Sequence, residues 1–139
     1  MIMAYDFATK EWLDAYKEAL NGEEGKGFQE GSKEWKGDFL FVINPDEKFD
    51  DTVHLYLDLS HGECKEAKMI TDENSVPEAE FQYIGTYANW EKLLKGEIDP
   101  IRGLLMRKFK LVGNKAKLMR SPVAKELVKT ARTIDSDFF

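Results

Sequence analysis

Two neighbouring runs of the sequence constrain the fold more than any other feature, because they predict adjacent strands of one sheet. Residues 38–44 read DFLFVIN, and such a continuously apolar run is typical of a central strand covered on both faces. Residues 52–60 alternate between aliphatic and polar residues, as expected of a strand with one covered face. The tight turn His61-Gly62 then predicts a hairpin to residues 63–71, whose poorer alternation indicates an edge strand.

The regions that flank these three strands carry other patterns. Residues 8–21 predict an amphipathic helix with Thr9 or Asp6 as its cap. Residues 23–37 are rich in glycine and charge, and they predict a loop around a short turn. Residues 79–86 predict a fourth strand, reached by a crossover from the hairpin.

The C-terminal part of the chain is predominantly helical in its spacing. Residues 87–95 predict one helix, and Asp99-Pro100 predicts the start of the next, with Asp99 as N-cap and Pro100 as first residue. Residues 109–112 predict a short fifth strand, and residues 115–134 predict a helical segment that Pro122 divides. The elements together predict an α+β fold: a five-stranded, mainly antiparallel sheet with helices packed mostly on one face.

Length and composition place these elements in one domain that spans residues 1–139. A chain of 139 residues with 42% hydrophobic residues can bury a single core, and halves of it would be too small to be stable. The single cysteine excludes an internal disulfide and suits a reducing compartment. The first residues resemble no signal peptide and no apolar run is long enough to cross a bilayer, so we expect a soluble cytoplasmic protein.

The charge of the chain is distributed unevenly. Residues 1–100 carry 10 Lys and Arg against 23 Asp and Glu, whereas residues 101–139 carry 10 against 3. A basic C-terminal third can contact an anionic membrane surface, a phosphate head group or nucleic acid. It can equally neutralise the acidic part of the same fold, and the sequence leaves these alternatives open.

Catalytic and metal-binding patterns are weak. His61-x-x-Cys64 offers two metal ligands, but a site needs three or four, and His54 is the only natural addition. Cys64 has no plainly placed His-Asp pair and is interpreted as a small buried hydrophobic residue. No glycine-rich phosphate loop is present in the sequence. We therefore predict no enzyme activity, no metal and no cofactor.

The segment WEKLLKGEIDPIRGLLMRKFKLVGN, residues 90–114, joins a helix, an Asp-Pro turn, an apolar turn of helix and a basic strand that ends in Gly-Asn. In this order the segment resembles the sterol carrier protein type 2 family, and LYLDLSHGEC, residues 55–64, is similar to the second strand and hairpin of that family. The matching residues are Gly96, Asp99, Pro100, Leu104, Leu105, Lys108, Phe109, Lys110, Leu111, Gly113 and Asn114. The chain departs from the family pattern at Arg107, where the family has glycine, and in residues 115–120, where charges replace apolar residues.

The resemblance implies that the sheet and the C-terminal helices enclose an apolar tunnel for a lipid, which is a fatty acid, an acyl-CoA, an isoprenoid or a sterol-like molecule. Non-catalytic lipid binding or transfer is then the expected function. The residues expected to line the tunnel are Trp90, Leu93, Leu94, Ile101, Leu104, Leu105, Leu118, Met119, Val123 and Leu127. The residues expected to contact an anionic head group at the tunnel mouth are Arg102, Arg107, Lys108 and Lys110.

Large aromatic side chains offer an alternative, because nine Phe, five Tyr and three Trp can fill a tunnel from within. The protein would then be a regulatory or scaffold protein that acts through protein–protein contacts. Further expected partners are an anionic membrane, contacted peripherally, and a second copy of the chain on the strand face that carries His54 and Tyr56. Nucleic acid is not expected, because the C-terminal third has few aromatic residues and the net charge is −6.

Overall fold

A computed structural model describes residues 4–138 of the protein; residues 1–3 and residue 139, which the predicted domain includes, lie outside the described residues. The strands are β1 (Tyr5–Asp6), β2 (Lys36–Asn44), β3 (Val53–Ser60), β4 (Glu63–Ile70), β5 (Phe81–Thr86), β6 (Lys110–Val112) and β7 (Ser136–Asp137). The α-helices are α1 (Lys10–Asn21), α2 (Lys26–Gly31), α3 (Tyr87–Leu94), α4 (Pro100–Leu105), α5 (Lys115–Met119) and α6 (Val123–Ala131). Two single 3₁₀ turns, Glu23–Gly25 and Glu73–Ser75, complete the list.

The main sheet has five strands in the order β4-β3-β2-β5-β6. The apolar run predicted to be central is β2, which pairs antiparallel with β3 and parallel with β5. The predicted hairpin of β3 and β4 is present, and β4 is an edge strand. The predicted α+β fold is therefore confirmed, and the sheet is mixed because the connection from β4 returns the chain to the free side of β2 in the parallel direction.

Both faces of β2 are buried, as its continuous apolar pattern predicted. On one face, Phe39 and Phe41 lie beside Leu57 and Leu55 of β3, and all four side chains belong to the core. On the opposite face Leu40 is also buried, between neighbours in β3 and β5. The helices cover the first of these faces, so the core lies between that face and the helical layer.

Local sequence signals fix the ends of most helices. Thr9 caps α1 by accepting a hydrogen bond from the backbone N–H of Trp12 at 3.3 Å. Asp99 caps α4 by accepting from the N–H groups of Ile101 and Arg102 at 2.9 and 3.0 Å, and Pro100 is the first residue of that helix. The predicted break at Pro122 separates α5 from α6.

The prediction of a loop over residues 23–37 is wrong, because this region contains the short helix α2. Phe28 of α2 is fully buried, and the helix packs against α6. Gly27 of α2 faces the carboxylate of Glu126 in α6, the flexible end of a side chain. Tertiary packing thus stabilises a helix in a segment whose glycine content predicts a loop.

The N- and C-terminal segments form a second, two-stranded sheet that the sequence analysis did not predict. Strands β1 and β7 are parallel, with Tyr5 opposite Ser136. The indole N–H of Trp12 in α1 donates to the hydroxyl of Ser136 at 2.8 Å, which ties the C-terminal strand to the first helix. Phe138 follows this strand and packs against Phe7 with ring centroids 5.4 Å apart. None of the helices in residues 4–138 has both the length and the hydropathy needed to cross a membrane.

Candidate functional site

A narrow apolar cavity lies between the covered face of the sheet and the helical layer. Its volume is about 30 Å³. The sheet contributes aromatic rings from β2 and β5, α1 contributes two more, and the C-terminal helices contribute mostly aliphatic residues. The lining residues are Trp12, Tyr16, Phe39, Phe41, Tyr83, Trp90, Leu94, Pro100, Leu118, Ala124, Leu127, Val128 and Ala131.

The four polar side-chain atoms in this lining are all hydrogen-bonded to other parts of the fold. The indole N–H of Trp12 donates to Ser136, and that of Trp90 donates to the carbonyl of Val42 at 3.0 Å. The hydroxyl of Tyr16 donates to the carbonyl of Leu127 at 2.8 Å.

The remaining hydroxyl, that of Tyr83, donates to the carbonyl of Pro100 at 2.7 Å. Burial also raises the pKa values of Tyr16 and Tyr83, which keeps both phenols neutral. The cavity therefore presents carbon to its interior, and it can accommodate an alkyl chain but no charged or strongly polar group.

An open groove of about 580 Å³ adjoins the cavity. Leu94, at the end of α3, and Ala131, at the end of α6, line both the groove and the cavity, so these two side chains separate them. The groove is also lined by residues of α1, by residues 132–136 and by Phe138. Arg132 holds this region together, because its guanidinium donates to the carbonyls of Leu93 and Ile98 at 2.9 and 3.0 Å.

The structure distributes the residues that were predicted to line a tunnel over four environments. Trp90, Leu94, Leu118 and Leu127 line the cavity. Leu93 and Val123 are fully buried in the core but lie outside the lining. Ile101 and Leu104 are half-buried, whereas Leu105 and Met119 are exposed. Whether any of these residues contacts a ligand stays a prediction.

The four predicted head-group residues are exposed and lie outside the cavity lining. Arg107, Lys108 and Lys110 instead line a second open groove, of about 830 Å³, along the edge of the sheet that β5 and β6 form. Arg102 projects from α4 and does not line this groove. The cations that lie near the cavity are Lys95 and Arg132 in the first groove, and the sequence analysis did not name them.

Sequence reasoning also missed the aromatic wall. Trp12 and Tyr16 are one helical turn apart on the buried stripe of α1, and Phe39 and Phe41 share one face of β2. Both spacings were visible in the sequence. The resemblance directed attention to the C-terminal helices, whereas a large part of the cavity wall comes from α1 and β2 in the N-terminal third of the chain.

The side chains with catalytic potential lie apart from this cavity. Cys64 is buried, and burial raises the pKa of its thiol to about 12, so the thiolate is scarce at neutral pH. Its backbone exchanges two hydrogen bonds with the amide of Asn21, at 2.8 and 2.9 Å, which gives it a structural role. Within residues 4–138, no group of three His, Cys, Asp or Glu side chains is arranged to hold a metal ion.

Comparisons with known proteins identify the family of this chain and structures that share its fold. A model of the SCP-2 sterol transfer family matches residues 17–121. A crystal structure of sterol carrier protein 2 is 30% identical, with a TM-score of 0.80 over 93% of this chain and 99% of that one. A solution structure of a conserved hypothetical protein from Thermus thermophilus, described as a possible sterol carrier protein, is 31% identical, with a TM-score of 0.79 over 96% of this chain and 93% of that one.

A more distant structure shares the fold alone. Sterol carrier protein 2 from Yarrowia lipolytica is 21% identical, with a TM-score of 0.58 over 94% of this chain and 97% of that one. A search of curated proteins gives no match. The family match covers most of the chain, and two of these structures reach the same fold at 30% identity or more. The chain therefore belongs to the SCP-2 sterol transfer family.

Proposed function

We propose that this protein binds or transfers a lipid, without catalysis, in the apolar cavity between the sheet and the helices. The observation that carries the proposal is the wall of the cavity, in which the polar atoms of Trp12, Tyr16, Tyr83 and Trp90 are all bonded to other parts of the fold. Such a wall suits the chain of a fatty acid, an acyl-CoA, an isoprenoid or a sterol-like molecule. The cytoplasm is the proposed location of this activity.

The size of the cavity sets the energetics of binding. A volume of about 30 Å³ is far below the roughly 300 Å³ that a ligand pocket normally needs. Widening it to that size without an occupant would cost about 7 kcal/mol, which is comparable to the whole stability of a typical domain. Ten buried methylene groups contribute about 8 kcal/mol, so a chain of roughly ten carbons offsets the cost. Chains longer than this should bind with a net gain in free energy, and chains shorter than this should not bind.

The groove next to Leu94 and Ala131 is the proposed access route for the lipid. Its walls carry three carboxylates, on Glu18, Glu24 and Asp135, and two cations, on Lys95 and Arg132. Because the groove carries both negative and positive side chains, we expect the lipid head group to lie in it with little preference for an anionic over a neutral end. A fatty acid and the corresponding fatty alcohol should therefore bind with similar affinity.

Tryptophan fluorescence offers a test that is specific for the cavity. Trp12 and Trp90 line it, whereas Trp35 does not line it and stacks on the ring of Phe39 at a centroid distance of 5.8 Å. A variant that retains only Trp90 (W12F/W35F) is titrated with a brominated 18-carbon fatty acid, whose bromine atoms quench nearby indoles. The matched control retains only Trp35 (W12F/W90F), and circular dichroism confirms that both variants fold.

We expect strong, saturable quenching of Trp90 and weak quenching of Trp35. Unbrominated fatty acids should reverse the quenching, and affinity should rise about fourfold for each methylene beyond roughly ten carbons until the cavity is full. Native mass spectrometry of the freshly purified protein would identify any lipid that it retains. Equal quenching of both indoles, or none, would refute binding in this cavity and leave the alternative of a self-filled protein that acts through protein–protein contacts.

A further inference from the structure

The large hydrophobic side chains that are exposed in residues 4–138 are concentrated in one segment. All four of them lie between residues 105 and 119. Leu105 and Met106 are the most exposed, at 74% and 62%, and they are adjacent at the C-terminal end of α4. A single exposed leucine is ordinary on a protein surface, but this concentration in one segment indicates a surface that contacts something apolar.

The same segment is strongly basic. Residues 100–125 contain eight Lys and Arg and no Asp or Glu. Arg107, Lys108, Lys110 and Lys115 are exposed, and in the part of the chain that the structure describes none of them has a carboxylate within ion-pair distance. Their charges are therefore available to an external anion.

The backbone holds this surface in place. Arg107 has a φ of 59°, in the left-handed region, and reverses the chain directly after Met106. The N–H groups of Lys108 and Phe109 then donate to the carbonyl of Gly103, at 2.9 and 3.2 Å. Phe109 is buried and stacks on Tyr83 with centroids 4.6 Å apart. The apolar tip is thus the end of an anchored turn.

Four cations lie on the same surface as Leu105. Leu105 lines the groove along β5 and β6 together with Arg107, Lys108, Lys110 and Lys115, and the exposed Met106 follows Leu105 directly in the chain. We define the docking surface as Leu105, Met106, Arg107, Lys108, Lys110 and Lys115.

We propose that the docking surface binds the interface of an anionic lipid bilayer, with Leu105 and Met106 inserted among the acyl chains and the four cations on the lipid phosphates. Aliphatic side chains rimmed by Lys and Arg are the composition that anionic interfaces attract. The inference deepens the proposed function and rests on it, because a lipid carrier must reach its lipid at a membrane, but it uses separate residues: none of the six lines the cavity.

Two other occupants fit the docking surface less well. A second copy of the chain would place this patch against itself in a symmetric dimer, so four cations would face four cations. Single-stranded nucleic acid is held by exposed aromatic rings that stack on bases, and the aromatic residue of this segment, Phe109, is buried. The tip instead offers Leu105 and Met106, which suit acyl chains.

Vesicle co-sedimentation tests the proposal. The full chain is mixed with vesicles of phosphatidylcholine alone, or with phosphatidylglycerol added, at low and high salt. We expect binding only to the anionic vesicles, weaker at high salt. Leu105→Ser combined with Met106→Ser should reduce the partition coefficient by about tenfold or more. Lys108→Gln combined with Lys110→Gln should reduce it about 25-fold, since each cation near an anionic surface contributes about fivefold.

The matched control combines Lys33→Gln with Lys65→Gln, two exposed lysines elsewhere on the chain that change the net charge equally. Its binding should change little. Equal losses in the control and in the Lys108/Lys110 variant would show general electrostatic adsorption and overturn the proposal. Unchanged vesicle binding by the Leu105/Met106 variant would exclude insertion and would also overturn the proposal. A clear preference of the protein for a single-stranded oligonucleotide would overturn it too. So would self-association of the parent protein that the two serine substitutions abolish.

The fluorescence titration described above separates this proposal from the proposed function. The Leu105/Met106 variant should bind monomeric brominated fatty acid as the parent protein does, because neither residue lines the cavity. Fatty-acid binding without vesicle binding would overturn the docking surface alone. Vesicle binding without quenching of Trp90 would overturn the cavity as a lipid site alone.

Discussion

Two consecutive leucines at the end of α3 make it possible to distinguish the effect of a substitution on stability from its effect on access to the cavity. Leu93 is fully buried and does not line the cavity, whereas Leu94 lines both the cavity and the adjoining groove. Leu93→Ala and Leu94→Ala make the same chemical change at neighbouring positions of one helix. We expect both to destabilise the protein, but only Leu94→Ala to accelerate lipid uptake.

The burial of the two side chains gives the magnitudes. Each substitution removes three carbon atoms, which corresponds to about 2.4 kcal/mol of transfer free energy. At Leu93 the space left behind is sealed, so the total loss should reach about 3–5 kcal/mol. Leu94 borders the open groove, so its truncation leaves no sealed void, and Leu94→Ala should lower the free energy of unfolding by about 2 kcal/mol. Both values lie within the stability of a typical domain, and both variants should fold.

Urea denaturation measures the two free energies of unfolding, and stopped-flow quenching of Trp90 by brominated fatty acid measures uptake. If removing the Leu94 side chain lowers the barrier by about 1.4 kcal/mol, uptake becomes about tenfold faster. Uptake by Leu93→Ala should match that of the parent protein. The same acceleration in both variants would point to general loosening of the core, and no acceleration at Leu94 would refute this access route.

Three further predictions test single structural features. Arg107→Gly should raise the free energy of unfolding by up to about 1 kcal/mol in urea denaturation, because it relieves a left-handed backbone; a loss of stability would contradict that conformation. Burial raises the pKa of the Cys64 thiol from 9.0 to about 12, so the reactive thiolate is scarce in the native protein. At pH 8, Cys64 should therefore react with a disulfide reagent on the order of 1,000-fold more slowly in the native protein than in urea. The absorbance of the thiolate that the reagent releases measures both rates. Because the folded state favours the neutral thiol, the free energy of unfolding should fall as pH rises from 9.0 towards about 12, and Cys64→Ala should lack this contribution. If Cys64 reacted with the reagent as fast in the native protein as in urea, its burial would be disproved. Phe109→Ala should cost about 3–5 kcal/mol and Leu105→Ala less than about 0.5 kcal/mol, and the reverse order in denaturation experiments would show that the burial of this segment is misassigned.

The sequence was sufficient for the parts of the fold that bury long, regular faces. The neighbouring positions of β2, β3 and β4 follow from one continuous apolar run, β2, one alternating run, β3, and the hairpin that joins β3 to β4, whereas the parallel pairing of β5 with β2 was not predicted. The sequence was insufficient for α2, which depends on contacts with α6, and for β1 and β7, whose two residues each carry no periodic signal. Short elements are determined by their tertiary partners.

The same reasoning explains which candidate residues lie at the cavity. Trp90, Leu94 and Leu127 belong to helices of eight or nine residues, long enough for one stripe to face the core throughout. Helix α4 has only six residues, and its apolar spacing continues to Leu105, where the helix has already turned away from the core. Phe109, further along the chain, enters the core instead. A helix of fewer than two turns gives a periodic pattern without indicating which of its residues are covered.

The resemblance placed the cations of residues 101–110 at the mouth of the tunnel, and electrostatics explains why none of them lines the cavity. A cavity that holds an alkyl chain must exclude water, and a Lys or Arg inside it would lose hydration worth several kcal/mol without a partner. The turn at Arg107 is followed by Phe109, which is buried, while Lys108 and Lys110 on either side of it are exposed and remain hydrated. Because the cations never enter the cavity, its chain-length preference and the salt dependence of membrane docking should be independent properties of the protein.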